Sequence, residues 1–207
     1  VADADFSPER RLFGSGDEAI ATYRELMKNL STQTRPDGNA LPTIIERWIS
    51  GIQTGVATEN GLDHGSPEFV SQVKSRILST LNDMQELIHG FDFGSVLAAY
   101  YQGYAENNEE LKSSALRWMR GEYGTKTEAY AALKIRTIID SDNFYDYLKV
   151  FAIFFRKIGY SGFTVCLDEA AYLYTITNSV SRKNNYEAIL SIINDCLQGK
   201  AAHIGFI

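Results

Sequence analysis

The stretch Gly162-Phe163-Thr164-Val165-Cys166-Leu167-Asp168-Glu169-Ala170 is an apolar run that ends abruptly in two adjacent carboxylates. Phe, Thr, Val, Cys and Leu in succession are apolar and β-branched enough to be covered on both faces, as a central parallel strand must be. Asp168 and Glu169 then fall at the carboxyl end of that strand, the place where open α/β sheets receive ligands.

Working outward, Gly159-Tyr160-Ser161-Gly162 turns the chain into this strand. Before it, residues 143–158 read as a long helix with an almost wholly apolar face of Tyr147, Leu148, Phe151, Phe154 and Phe155. The periodicity predicts further helices over 17–31 with Asp17 as cap, 42–56 with Pro42 in the first turn, 66–88 closed by Gly90, 93–106, 109–120 and 127–133. Residues 58–66 read as loop. Val1 to Phe6 reads as the end of a strand, followed by the turn chemistry of Ser7-Pro8. Beyond Glu169 the pattern gives a helical turn over 170–175, a polar loop over 178–183, a helix over 185–197, and a last strand over 203–207. The sum is a strand, a large helical block, then strand, helix and strand, with no internal repeat and no low-complexity linker.

The composition narrows the class. The chain has 207 residues, 44% hydrophobic and 12% aromatic, ample for a sizeable core. A net charge of −6 gives no basic footprint of the kind that accompanies duplex-binding modules, so nucleic acid is left unsupported by charge. Cys166 and Cys196 each sit in an apolar context and read as buried, reduced thiols of a cytoplasmic protein. His64, His89 and His203 have no ligand partner at metal spacing, so no zinc site is expected. No apolar stretch reaches the roughly 18 residues of a membrane span. The missing initiator Met and the apolar end His203-Ile204-Gly205-Phe206-Ile207, which reads as a strand cut off mid-course, lead us to expect an excised piece of a longer protein.

The acidic pair has a chemical reading and a structural one. In nucleotide hydrolases of the P-loop type, an Asp at the end of a buried strand holds Mg²⁺, directly or through water, and a following Glu polarises the attacking water. Asp168 and Glu169 have that order. The other half of such a site is missing, because no G-x-x-x-x-G-K-[ST] occurs from Val1 to Ile207. Structurally, Asp as N-cap and Glu in a first helical turn would also account for the pair. Gly121-Glu122-Tyr123-Gly124-Thr125-Lys126-Thr127 resembles a phosphate loop superficially, but its Lys is not adjacent to its Gly and it follows a helix, so the required nest of N–H groups is not expected. Phe13-Gly14-Ser15-Gly16-Asp17 has no Lys at all. Arg182, beside Lys183, is a candidate for acting in trans on a neighbouring subunit's phosphates, against the plainer reading of a solvated loop. Tyr100, Tyr101, Tyr104, Tyr123 and Tyr130 lie at helical spacing with few lysines nearby, which favours core or interface packing over base stacking.

The stretch from Lys157 to Phe163 into Leu167-Asp168-Glu169, then Arg182 to Gly199 with its Asn185-Tyr186-Glu187 and Asn194-Asp195 pieces, resembles the ATP-binding proteins of bacteriophage-exclusion (BREX) systems. The opening Asp5-Phe6-Ser7-Pro8-Glu9-Arg10-Arg11-Leu12 and the piece Trp118-Met119-Arg120-Gly121-Glu122 look like the same family. That family is similar to AAA+ and related P-loop ATPases. The resemblance implies an α/β fold, mostly helical, with a short parallel sheet of about three strands from a P-loop core. It divides the chain into a core piece at 1–16, a helical insertion at 17–158 and the acidic strand, helix and following strand at 159–207. It further implies a phage-defence ATPase in the full-length parent, with Asp168 positioning Mg²⁺, Glu169 activating water and ATP as ligand. Other defence-system proteins and a homo-oligomer are the implied partners, and no membrane. The residues here, lacking the lysine loop, are not expected to hydrolyse ATP alone. The rival is a non-catalytic helical scaffold, or a nucleotide-dependent switch, that recruits partner proteins.

Overall fold

The computed structural model describes residues 1–64, 66–85 and 87–207. Strand β1 (Ala2–Asp5) is followed by helices α1 (Glu18–Lys28), α2 (Leu41–Asn60), α3 (Pro67–Asn82), α4 (Gly90–Ala105), α5 (Glu109–Met119), α6 (Lys126–Leu133) and α7 (Phe144–Lys157). Strand β2 (Phe163–Asp168), a 3₁₀ turn (Ala170–Thr175), helix α8 (Ser179–Leu197) and strand β3 (Ile204–Phe206) complete the order. The three strands form one parallel sheet, ordered β1-β2-β3, with the acidic-ended strand in the middle. The protein is therefore α/β and mostly helical, as the sequence predicts.

The register places Ala2 beside Val165 and Ala4 beside Leu167 on one face of the sheet. That face is buried, with Ala2, Ala4, Phe163 and Val165 withdrawn from solvent. The other face, bearing Asp3, Asp5, Thr164 and Cys166, is half-buried or exposed, so the expectation of burial on both sides holds for only one of them. Both cysteines are free and half-buried, not buried.

Helix α7 covers the apolar face. Its Phe155 meets Phe163 of β2 edge-to-face, with ring centroids 5.3 Å apart. On its far side Phe151 and Phe154 pack on Phe93 of α4 at 4.8 and 5.5 Å, and Tyr147 meets Trp118 of α5 at 5.2 Å. Edge-to-face pairs suit the ring quadrupole and add to the area they bury. This helix ties the sheet to the helical block, as does α1, which packs along β1. The Trp118 indole donates to the Thr137 carbonyl at 2.7 Å and the Tyr23 hydroxyl to the Met119 carbonyl at 2.6 Å, so these two polar ends are satisfied, whereas the buried Tyr147 hydroxyl has no partner among the described residues.

Several boundaries differ from the sequence reading. Helix α2 runs on to Asn60 and closes on Gly61 in a left-handed conformation, shortening the expected 58–66 loop. Helix α3 begins as predicted, with Ser66 accepting from the Phe69 N–H at 3.2 Å, but it ends at Asn82, and Gly90 opens α4 instead of stopping α3. A Cβ at Gly90 would lie 1.8 Å from the Met84 carbonyl oxygen, so only glycine fits this crossing. Gly65 of the expected loop and Glu86 of the expected 66–88 helix lie outside the described residues. Asp17 makes no side-chain cap on α1; the Glu18 carboxylate accepts from the Gly16 N–H at 2.9 Å instead.

The two edges of the sheet are treated differently. Carbonyls on the outer edge of β1 are taken by side chains, Asp5 by Arg10 Nε at 2.9 Å and Asp3 by Asn29 Nδ2 at 3.1 Å. Strand β3 is the other end of the sheet, and beside it α8 exposes Tyr186, Leu190, Ile193 and Leu197, a 4-3-4 stripe in which Leu197 is 80% exposed. Bare edges and apolar helix stripes both favour association. The chain is expected to self-associate as its concentration rises; strictly monomeric light scattering over a wide concentration range would contradict this. Truncating Phe151 to Ala in the centre of the α7 contact is expected to cost about 3–5 kcal/mol, read from the urea midpoint.

Candidate functional site

The carboxyl end of β2 is held by its neighbour. Asp5 and Asp168 are register partners, and the Phe6 N–H donates to the Asp168 carbonyl at 3.0 Å. Asp5, Asp168 and Glu169 are all exposed at this end of the sheet, and none has an ion-pair partner among the described residues. Glu169 adopts φ 56°, ψ 33°, the left-handed region, and precedes the 3₁₀ turn without a side-chain cap. Asp168 Oδ1 accepts from the Glu169 N–H at 2.7 Å, and the Glu169 carbonyl accepts from Tyr172 N–H at 2.8 Å. The helix-capping account of the pair does not describe this geometry, because the position before the turn belongs to Glu169 and its carboxylate caps nothing. The two residues lie in a sharp turn that leaves the Glu169 carboxylate without a helical task.

The segment beyond the turn corrects the sequence reading. Residues 179–184 are helical, because Asn178 caps α8 by accepting from the Ser181 N–H at 2.9 Å and starts the helix well before its apolar stripe begins. Arg182 is therefore in the first turn of α8, half-buried, with Nη1 donating to the Ile176 carbonyl at 2.7 Å. Lys183 pairs along the helix with Glu187.

Asn185 is the residue whose role the sequence reading missed. It is fully buried, and its Oδ1 accepts from the Leu12 and Phe13 N–H groups, both at 3.0 Å, while Nδ2 donates to the Phe13 carbonyl at 2.8 Å and the Ser181 carbonyl at 2.9 Å. All four hydrogen-bonding positions of the amide are thereby used. The signal was its place at the head of the stripe 185, 188, 189, 192 and 196, where α8 faces its own core. Asn185 binds the loop after β1 to α8, the helix that follows the acidic strand end. The same first loop is braced at Glu18. Its carboxyl is held below its usual value by backbone N–H donors at Glu18 and Gly16 and by the Arg11 guanidinium.

The remaining candidates take structural places. Tyr100, Tyr101 and Tyr123 are buried in the core, and Tyr130 is 42% exposed. In the segment 121–127 the Thr125 hydroxyl caps α6, accepting from the Glu128 N–H at 3.2 Å, so it is a turn between helices. Among the described residues no group of three or more His, Cys, Asp and Glu side chains is placed to hold a metal ion. A single aspartate is still compatible with Mg²⁺, which keeps several waters and takes substrate phosphates as ligands. No helix among the described residues is long and apolar enough to cross a membrane.

Left-handed backbone costs a residue with a Cβ roughly 1–2 kcal/mol. Glu169→Gly is accordingly expected to raise stability by about 0.5–1 kcal/mol, measured at the denaturant midpoint; a fall would show that the turn carries no such strain.

No curated protein and no solved structure matches the chain. One family model does, that of the BREX system ATP-binding protein BrxC/D, over residues 1–207. With its parallel sheet centred on the Leu-Asp-Glu strand, the chain belongs to this family of ATP-binding phage-defence proteins.

Proposed function

We propose that these residues form part of a P-loop ATPase, in which Asp168 positions Mg²⁺ and Glu169 activates the attacking water. The carrying observation is the pairing of an exposed Asp168 at the end of the central parallel strand with an uncapped Glu169 in a left-handed turn. Strain of that kind concentrates at functional turns. Membership of an ATP-binding family supports the same reading. The arrangement is an acidic half-site. The phosphates would need the lysine loop that no stretch of the 207 residues supplies, and we take that loop to belong to the same full-length parent. On this reading 1–16 and 159–207 are core, and 17–158 is a helical insertion between the strands.

Catalysis in such a site is largely positioning and charge stabilisation. Asp168, with one oxygen already accepting from the Glu169 N–H, would hold Mg²⁺, directly or through water, with the other. The Glu169 carboxylate, free of capping duty, takes the proton of the water as it attacks the terminal phosphoryl group. Arg182 is first a tie between the 3₁₀ turn and α8; a reach to a neighbouring subunit's phosphate would use the guanidinium nitrogens not engaged by Ile176.

The test is Mg²⁺-dependent ATP hydrolysis by the full-length parent beside its Glu169→Gln variant, with ATP binding measured on both. Binding retained with turnover reduced about a hundredfold or more is the expected outcome for loss of a positioned base. Unchanged turnover removes the base assignment, and a wild type that binds no ATP favours the scaffold reading. In the same assay, Arg182→Ala with intact hydrolysis and a lowered melting temperature would leave Arg182 as a tie alone.

A further inference from the structure

At the opposite end of the sheet from Asp168 lies a groove of about 640 Å³ between α2, Arg76 of α3 and the turn that leads from α7 into β2. Two of its lining residues are aromatic, Trp48 and Tyr160, and three are cationic, Arg47, Arg76 and Lys157. The rings are anchored on one side only: Trp48 stands edge-on to Phe154 at 5.3 Å and Tyr160 packs on Phe155 at 6.2 Å, and both remain partly exposed. The wall of α2 between them is opened by Gly51, where an added Cβ would meet nothing within 4 Å.

The three cations differ in how far they are engaged. Arg47 is exposed and has no ion-pair partner among the described residues. Arg76 pairs with Glu59 through two hydrogen bonds, Nη1 to Oε1 at 3.3 Å and Nη2 to Oε2, with the two side chains 41% and 58% exposed. Glu59 also lines the groove, so a phosphate reaching Arg76 would compete with it for a planar guanidinium that is matched to either oxyanion. Lys157 contacts Asp83 at 3.1 Å, also at the surface. Aromatic faces beside arginines are the combination that recognises a base together with its phosphate, and the volume falls in the range of small-ligand sites, about 300–1,000 Å³.

We propose that this groove binds a nucleotide unit, with the base against Trp48 and Tyr160 and the phosphate on Arg47 and Arg76. It is separate from the acidic strand end and does not depend on how that end is read. The ligand is either a free nucleotide or one unit of a single-stranded nucleic acid, which share this chemistry.

Trp48 is a built-in reporter, since the chain's other tryptophan, Trp118, is 1% exposed. The 207-residue chain is titrated in EDTA, which removes any Mg²⁺-dependent binding at Asp168, with ADP in one arm and a short oligothymidylate in the other. Arg47→Ala and Gly51→Leu are measured alongside, with circular dichroism to confirm that both fold. Leu is a better helix former than Gly and fills the groove from its open side. Saturable quenching by at least one probe is expected, weakened about tenfold by Arg47→Ala and lost in Gly51→Leu. Quenching by ADP alone identifies a free nucleotide; quenching by the oligonucleotide that is far tighter and falls with salt identifies a strand. The proposal is overturned if neither probe quenches at millimolar concentration, or if the two folded variants bind as the wild type does.

Discussion

The contact of α7 with everything around it is the constraint on which this structure rests. A three-stranded parallel sheet is too small to supply its own core, and one of its faces carries Asp3 and Asp5. Its stability has to come from the helices packed against it, α7 across its other face and α1 along β1. Phe155 meets the sheet, while Phe151, Phe154 and Tyr147 meet the helical block. Because aromatic side chains bury large areas with few rotatable bonds, a helix faced with them can bond two layers while losing little side-chain entropy. The placement of Asp168 at a defined point in space follows from this, since β2 is fixed by Phe163 under Phe155 and by β1 alongside.

Much of this was legible in the sequence because it depended on periodicity. The α7 stripe and the run Phe163–Leu167 have unmistakable periods, and both elements fall where predicted to within a residue or two. Less legible was whatever depends on a single residue's backbone or on a partner far along the chain. The early start of α8 rests on the Asn178 cap, which overrides a locally polar composition that reads as loop. The role of Gly90 depends on the Met84 carbonyl it passes, and no pattern in 66–90 distinguishes a helix stop from a helix start at that glycine. At the acidic strand end, residue types and order could be read directly. The left-handed turn at Glu169 and the commitment of Arg182 to the Ile176 carbonyl could not, because both follow from backbone geometry.

The family assignment and the geometry bear on different parts of the functional reading. The match over residues 1–207 identifies an ATP-binding protein of a phage-defence system. The geometry adds that, of the two strand ends lying together, one carries a carboxylate pair with no ion-pair partner among the described residues. An uncompensated negative patch at the carboxyl end of a sheet is suited to a divalent cation and ill suited to a bare phosphate. On the proposed reading, a nucleotide would be received there as its metal complex, with the phosphate contacts made by other groups.

The Asn185 amide has a mechanical meaning beyond stability. With its four bonds divided between the loop at 12–13 and the first turn of α8, neither segment can open without exposing buried polar groups of the other. Segments coupled in this way behave as one cooperative unit in local unfolding. Helix α8 begins ten residues after Glu169, and the first loop leads on to α1, the opening helix of the block between β1 and β2. The buried amide thus makes the loop after β1 and the start of α8, the helix that follows the acidic turn, a single unit built by two distant parts of the chain acting as one.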